Sequence, residues 1–349
     1  MPVYENKEKR KYSKNPLHNT STINQFTVQD LDSASQQETA TPLLTNEFKQ
    51  GHYVNHSKLP AGTKLSEIAM LGSHDAGTYA YSRRKSGFAS SLGSLLPAAF
   101  KTQNRTLRQQ AEAGARYFDI RVAQNKDGSF SFFHGPSVAG SDAVSDVKSL
   151  LEYAAGDTNH FYLLKLVFKG EKGQSSAAAS SNTFLQSILE GHQQRLITLD
   201  DTSSLGEAMV DLLDKGKNIG IMVDRKKYDG TEPHWGYKES VNTKWANRAN
   251  AEETANFLLK FHENPVPDKL NIMQTNIPVA SVGRGQFTSG VKRYLFGNRD
   301  PLIKAVAQLP AGIISADYVG DSGSATSKFM ETINQYNRSL MERDEETRL

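Results

Sequence analysis

The stretch Ile68-Ala69-Met70-Leu71-Gly72-Ser73-His74-Asp75-Ala76-Gly77-Thr78 decides the reading of this chain. An apolar run ends in Gly-Ser-His-Asp, and a turn-like Ala-Gly-Thr follows. That pattern is a buried strand delivering a histidine and an acid to its own C-terminal edge. A histidine there can move a proton near neutral pH. Downstream, Asp119-Ile120-Arg121 and Phe132-Phe133-His134-Gly135 close apolar runs in the same way. Two histidines and an arginine brought together at strand ends suit attack on a phosphodiester.

Working outward, strand-like and helix-like segments alternate. Strand candidates are 66–72, 116–122, 130–134, 161–168, 219–224, 270–275 and 312–318. Phe161-Tyr162-Leu163-Leu164 and Ile219-Gly220-Ile221-Met222-Val223 are continuous apolar runs, as expected of strands covered on both faces in a parallel sheet. Helices are predicted over 104–113, 141–155, 181–196 and 251–263, with a last amphipathic one from 325 carrying Phe329, Ile333, Tyr336 and Leu340 on one stripe. Gly114 is placed to cap the first of them. Seven strands are one short of eight, and the eighth is sought at 194–199 or 239–245. The fold class is α/β, and the alternation favours a TIM-like (β/α)8 barrel, regular or irregular. A doubly wound open sheet gives a similar pattern, although no glycine-rich nucleotide loop is present.

The chain has 349 residues and a formal net charge of +3, too little to imply a nucleic-acid partner. It has no cysteine, which excludes disulfides and cysteine-based zinc sites while leaving the compartment open. Residues 1–55 are polar and irregular and read as a flexible extension. The barrel is assigned to 56–322, and a C-terminal helix and tail to 323–349. No signal-peptide core and no run of 18 apolar residues is seen, so a soluble protein is expected, cytoplasmic or translocated, touching membranes only peripherally. The basic cluster Lys7-Glu8-Lys9-Arg10-Lys11 is read as a solvated tail with some capacity for anionic lipid.

Four motifs, in order, resemble the X-type catalytic domain of phosphatidylinositol-specific phospholipase C. They are Gly-Ser-His-Asp-Ala-Gly-Thr-Tyr (72–79), Phe-Asp-Ile-Arg (118–121), Phe-His-Gly-Pro (133–136) and Leu-Leu-Lys-Leu (163–166). Ala316-Asp317-Tyr318 resembles the family's last-strand motif. The resemblance spans roughly 60–320 and is sharp to about 170. It implies that His74 is the base for the inositol 2-hydroxyl, with Asp317 orienting it. It implies that His134 is the acid for the departing diacylglycerol oxygen, with Asp75 as its partner. Arg121 would stabilise the pentacoordinate phosphorus, and Lys165 would add charge on the substrate side. Calcium-dependent relatives carry Asn after the first His and an acid where Arg121 stands. Asp75 and Arg121 therefore imply an enzyme without metal or other cofactor, since Asp119 alone offers too few oxygens for Ca²⁺.

The second half departs from the family. Val241-Asn242-Thr243-Lys244-Trp245 is the best local match to its inositol-binding segment, with Trp245 as the stacking ring and a neutral Thr243 where the family has an aspartate. Arg225 matches a basic residue of the inositol pocket. Trp235 and Tyr237 read equally as packing or surface aromatics, Asp224 as a strand-end acid that could join the pocket, and His160, His192, His234 and His262 as residues without a chemical role. The loop Gly87–Phe100 is apolar enough to dip into a bilayer edge or to cover the barrel rim. The expected partner is an inositol phospholipid at a membrane surface, and the oligomeric state is left open. Two alternatives stand beside this reading: another headgroup on the same barrel, and a weakly catalytic phosphoinositide-binding module. The acid-rich end, 341–349, reads as a frayed helix terminus, with some likeness to the export signals of bacterial effectors.

Overall fold

A computed structural model describes residues 53–81, 101–135, 137–169, 175–224, 234–248, 250–277, 295–309 and 311–348. All of these fall within one compact unit, Phe48–Leu349. Arg225, the 87–100 loop and nearly all of the 1–55 extension lie outside the described residues.

The strands are β1 (Met70–Ser73), β2 (Ala115–Gln124), β3 (Phe130–His134), β4 (Ser137–Val138), β5 (Tyr162–Phe168), β6 (Ile219–Val223), β7 (Trp235–Gly236), β8 (Val241–Thr243), β9 (Leu270–Gln274) and β10 (Ile313–Ala316). The helices are α1 (Leu107–Glu112), α2 (Ala143–Gly156), α3 (Ser175–Leu189), α4 (Tyr237–Ser240), α5 (Ala251–His262), α6 (Asp300–Gln308) and α7 (Thr326–Arg348).

The parallel strands run in the order β7-β6-β5-β2-β1-β10-β9-β8, with the first strand beside the last. That is chain order wrapped into a ring and cut once. A doubly wound sheet would instead reverse its order at a switch point. The cut lies between β7 and β8, which the one-turn helix α4 links directly. Four helical residues advance about 6 Å, so the two sheet edges stay close without forming a ladder. The architecture is therefore an irregular TIM-like barrel with one unpaired seam.

Two expectations need correction. The 130–134 strand is real, but it pairs antiparallel with β2 and forms a hairpin with β4 off the ring. The ring is completed by β7 and by β8, which falls inside 239–245, whereas 194–199 contributes a single parallel bridge, Leu196 to Ile219. Helix α6 was not foreseen, although Asp300-Pro301 is an ordinary helix start. Helix α7 continues to Arg348.

Period two along each strand splits the apolar residues into two cores. Leu71, Phe118, Ile120, Leu164, Ile221 and Ile314 pack outward under the helices. Met70, Tyr117, Leu163, Met222, Ile272 and Ile313 fill the interior. Double coverage explains the continuous apolar runs.

Helix α7 docks Phe329, Met330 and Ile333 into the outer core. Its Asn337, 1 % exposed, grips the backbone just before β1: Ala69 N donates to Oδ1 at 3.0 Å, and Nδ2 donates to Ala69 O at 3.0 Å. Replacing Asn337 by Leu leaves a buried N–H and a buried C=O unpaired. Stability should fall by about 2–4 kcal/mol, read as the shift of a urea unfolding midpoint. A midpoint unchanged from wild type would show that the backbone finds other partners.

Candidate active site

The interior alternation has a consequence at the C-terminal ends of the strands. Following each inward line past its last apolar residue gives His74 after Gly72, Asp119 and Arg121 after Tyr117, Lys165 after Leu163, Asp224 after Met222 and Asp317 after Ser315. Register reinforces this, because Asp119 is the direct partner of Lys165.

The turn after β1 is unusual. Asp75 takes a left-handed conformation, φ 44 and ψ 52, that non-glycine residues seldom adopt. This kink lets consecutive residues serve one cluster. Gly77 completes the turn against β3, since a Cβ there would overlap the Phe132 ring. Phe132 thus sits close to the turn, and His134, two residues on, comes to Asp75.

The cluster is built from paired charges. His74 Nδ1 lies 2.8 Å from Asp317 Oδ1, and Nε2 lies 3.4 Å from Asp75 Oδ2. The His134 Nε2 atom is 3.1 Å from the same Asp75 oxygen, and the two imidazole rings are perpendicular at 6.5 Å. Asp75 Oδ1 forms an ion pair with Arg121 Nε. Arg121 Nη2 donates to Asp119 Oδ2 at 3.0 Å, and Lys165 Nζ lies 3.2 Å from Asp119 Oδ1. Lys165 also sits over the Tyr237 ring, 4.5 Å from its centroid. The Asp75 side chain is fully buried, while those of Arg121 and His134 are about a quarter exposed and face the opening.

Electrostatics follow from this packing. Burial works against a charged His74, but Asp75 and Asp317 outweigh it, and its pKa is raised above the usual 6.5. Asp119 is held well below the usual carboxylate range: burial raises it, and the cations Arg121 and Lys165 more than reverse that. Lys165 stays cationic despite burial, because Asp119, Tyr237 and Asp224 stabilise its charge.

His74, Asp75 and Asp119 each offer an atom within 4.8 Å of the others, a geometry compatible with a cation. The charges argue against a divalent ion there. Asp75 and Asp119 are already bridged by Arg121, and Lys165 adds a second positive charge on Asp119. These residues do not fit a Ca²⁺ site, which needs six or more oxygens free to coordinate.

The structure thus brings together His74, Asp75, Arg121, His134, Lys165 and Asp317. Trp245 is 40 % exposed, and its indole N–H donates to Asn276 O at 3.3 Å. Thr243 is engaged by its neighbours, donating to Ile272 O and accepting from Gln274 Nε2. Tyr237, read from sequence as a packing or surface aromatic, lies under the Lys165 ammonium. The signal that finds it is the inward line Trp235–Tyr237 running past β7. His160 belongs to a different cluster and pairs with Asp157 at 2.9 Å, apart from the two catalytic candidates.

No protein-family model matches the chain. The human PI-PLC X domain-containing protein 2 is 31 % identical over 121 residues, which cover 29 % of this chain and 40 % of that protein. The variant-surface-glycoprotein phospholipase C of Trypanosoma cruzi is 29 % identical over 126 residues, covering 28 % and 33 %. The chain therefore spans less than half the length of these curated relatives. In structure, a variant of the phosphatidylinositol-specific phospholipase C of Staphylococcus aureus superposes with a TM-score of 0.58 at 17 % identity, covering 79 % of this chain and 95 % of that one. The Listeria monocytogenes phosphatidylinositol-specific phospholipase C gives 0.52 at 16 %, covering 80 % and 99 %. Sequence and architecture converge: part of the chain is similar to PI-PLC X domain proteins, and its barrel has the fold of the bacterial phosphatidylinositol-specific phospholipases C.

Proposed function

We propose that the chain is a phosphodiesterase that cleaves phosphatidylinositol, or a closely related inositol lipid, by acid–base catalysis without a metal. The observation that carries this reading is the shared carboxylate of Asp75, with His74, His134 and Arg121 around it at the mouth of the barrel.

The chemistry follows from the donors. His74 gives its Nδ1–H to Asp317, which fixes the tautomer and leaves Nε2 as the base. The inositol 2-hydroxyl oxygen attacks phosphorus as its proton passes to Nε2. The resulting imidazolium lies between Asp317 and Asp75, the same pair that raises its pKa. The bond from phosphorus to the glycerol oxygen breaks, and that oxygen takes a proton from His134, whose Nε2–H is held by Asp75. The guanidinium of Arg121, fixed by Asp75 and Asp119, lies where charge builds on the phosphoryl oxygens, so it need not reorganise during reaction. Inositol 1,2-cyclic phosphate and diacylglycerol leave. Slow hydrolysis of the cyclic ester would run the same proton transfers in reverse, with water in place of the glycerol hydroxyl.

Release of water-soluble inositol phosphate from vesicles containing labelled phosphatidylinositol tests the proposal. Turnover in EDTA should equal turnover in Ca²⁺. No turnover by folded protein would sink the enzymatic reading and leave a binding module. Activity abolished by EDTA and restored by Ca²⁺ would sink the metal-free mechanism.

A second reading, a modified inositol headgroup, draws on the neutral, already hydrogen-bonded Thr243 and the exposed Trp245 at the rim. Strict preference for unmodified phosphatidylinositol in a headgroup screen would dismiss it.

A further inference from the structure

The pairing of His74 with Asp317 joins the ends of two strands 243 residues apart in sequence, and something must hold those ends in register. Backbone pairing does part of this, because His74 N donates to Ala316 O at 3.0 Å. Beyond that point both chains leave the sheet through left-handed residues, Asp75 at φ 44 and Tyr318 at φ 55, and the ladder ends.

A single buried side chain spans the gap. Gln103, 0 % exposed, lies on the segment that leads into α1. Its Nε2 donates to His74 O at 2.9 Å and to Ala316 O at 3.0 Å, so one amide nitrogen ties the catalytic ends of β1 and β10. Its Oε1 accepts from Val319 N at 2.9 Å. The residue before it completes the bracket, with Thr102 O accepting from Tyr318 N at 2.8 Å. Asp317 is therefore held on both sides, at Ala316 and at Tyr318–Val319. The other half of the turn is fastened through Thr78 Oγ1, which donates to Asp75 O at 2.9 Å and accepts from Gln103 N at 3.1 Å. Both polar atoms of the Gln103 carboxamide are used, in three hydrogen bonds at a buried site, where loss of any of them is costly.

We infer that Gln103 is a positioning residue for the His74–Asp317 pair, its carboxamide setting the imidazole against the carboxylate across the β1–β10 junction. This rests on the reading of His74 as the base, but its consequence for the imidazole does not require substrate. The groups facing His74 are Asp75 from its own turn, Asp317 from the end of β10, Asp119 and Arg121 from β2, and His134 from β3. Gln103 carries no charge, so its replacement by another neutral side chain alters His74 by moving these groups.

The test compares Gln103→Met, which keeps volume and removes all three bonds, with Gln103→Glu, which keeps the acceptor for Val319 N. The His74 imidazole is titrated by NMR and kcat and KM for phosphatidylinositol are measured. The expected result for Gln103→Met is a His74 midpoint that falls toward 6.5 as the Asp317 contact loosens. The acidic limb of the kcat/KM profile should move down with it. Turnover should drop about 10- to 100-fold with KM little changed, as for a small misplacement of a reacting group. Gln103→Glu also loses the Nε2 donor and adds a buried carboxyl, so its turnover should fall as well, while its His74 midpoint stays above that of Gln103→Met. In wild-type protein, the Gln103 side-chain amide resonance should shift as His74 titrates, a readout that needs no variant. Folded variants with lowered melting temperature but an unchanged His74 midpoint and unchanged kcat would overturn the inference, as would a Gln103 amide that ignores His74 protonation. Absent turnover with a shifted His74 midpoint would instead fault the enzymatic reading and leave the positioning role intact.

Discussion

Replacing His74 or His134 by Ala should lower phosphatidylinositol turnover by about 10²–10⁴-fold each, the usual worth of a positioned acid or base. The two losses should not multiply in the double variant, because both imidazoles act through one Asp75 oxygen and form a unit. The pH profile separates them. His74 must be neutral to accept a proton, and its pKa is raised. In wild type, kcat/KM should therefore fall on acidification with a limb above 6.5. The same group bears on stability with a defined sign. A raised pKa in the folded state contributes stability that is fully present below 6.5 and lost as pH rises through the folded value. The unfolding free-energy difference between wild type and His74→Ala should thus be larger at pH 5 than at pH 9. Turnover by His74→Ala within a factor of ten of wild type would remove His74 from the role of base.

Arg121 is the other position with a large expected effect. Its Nε meets Asp75 and its Nη2 meets Asp119, so one planar fork bridges two buried carboxylates while still facing the opening. Lysine offers a point charge and cannot span both. Arg121→Lys should reduce kcat by about 10²–10³-fold, comparable to losing one fixed donor to a transition-state oxyanion. Arg121→Gln should do at least as much and also destabilise the fold by about 3 kcal/mol, because Asp75 is left buried without its cation. Lys165 still compensates Asp119, which keeps the cost at the lower end of the range for broken buried pairs. Single-turnover kinetics and urea unfolding measure the two effects separately. Wild-type kcat in Arg121→Lys would rule out the guanidinium as the phosphoryl anchor.

The sequence exposed more of the site than of the barrel's closure. His74, Arg121 and Lys165 were legible because each continues an alternating line that is apolar until it meets solvent. Nothing local told β3 from a ring strand: Phe130–His134 is as apolar as its neighbours, and only its antiparallel pairing sets it aside. The short ring strands β7 and β8, of two and three residues, carry too little periodicity to stand out. Gln103 had no signal at all, because its partners are backbone groups contributed by distant strands.

By itself the sequence determined the α/β alternation, the strand ends that carry chemistry and the residue types on them. These are local properties, fixed by period two, by glycine in the turns and by polar residues at the end of apolar runs. Tertiary structure alone decided which of those groups meet. The neighbouring of β1 and β10 brings Asp317 to His74, and the left-handed Asp75 lets one carboxylate serve two histidines and an arginine. The seam at α4 likewise follows from ring closure, which depends on how all the strands pack together.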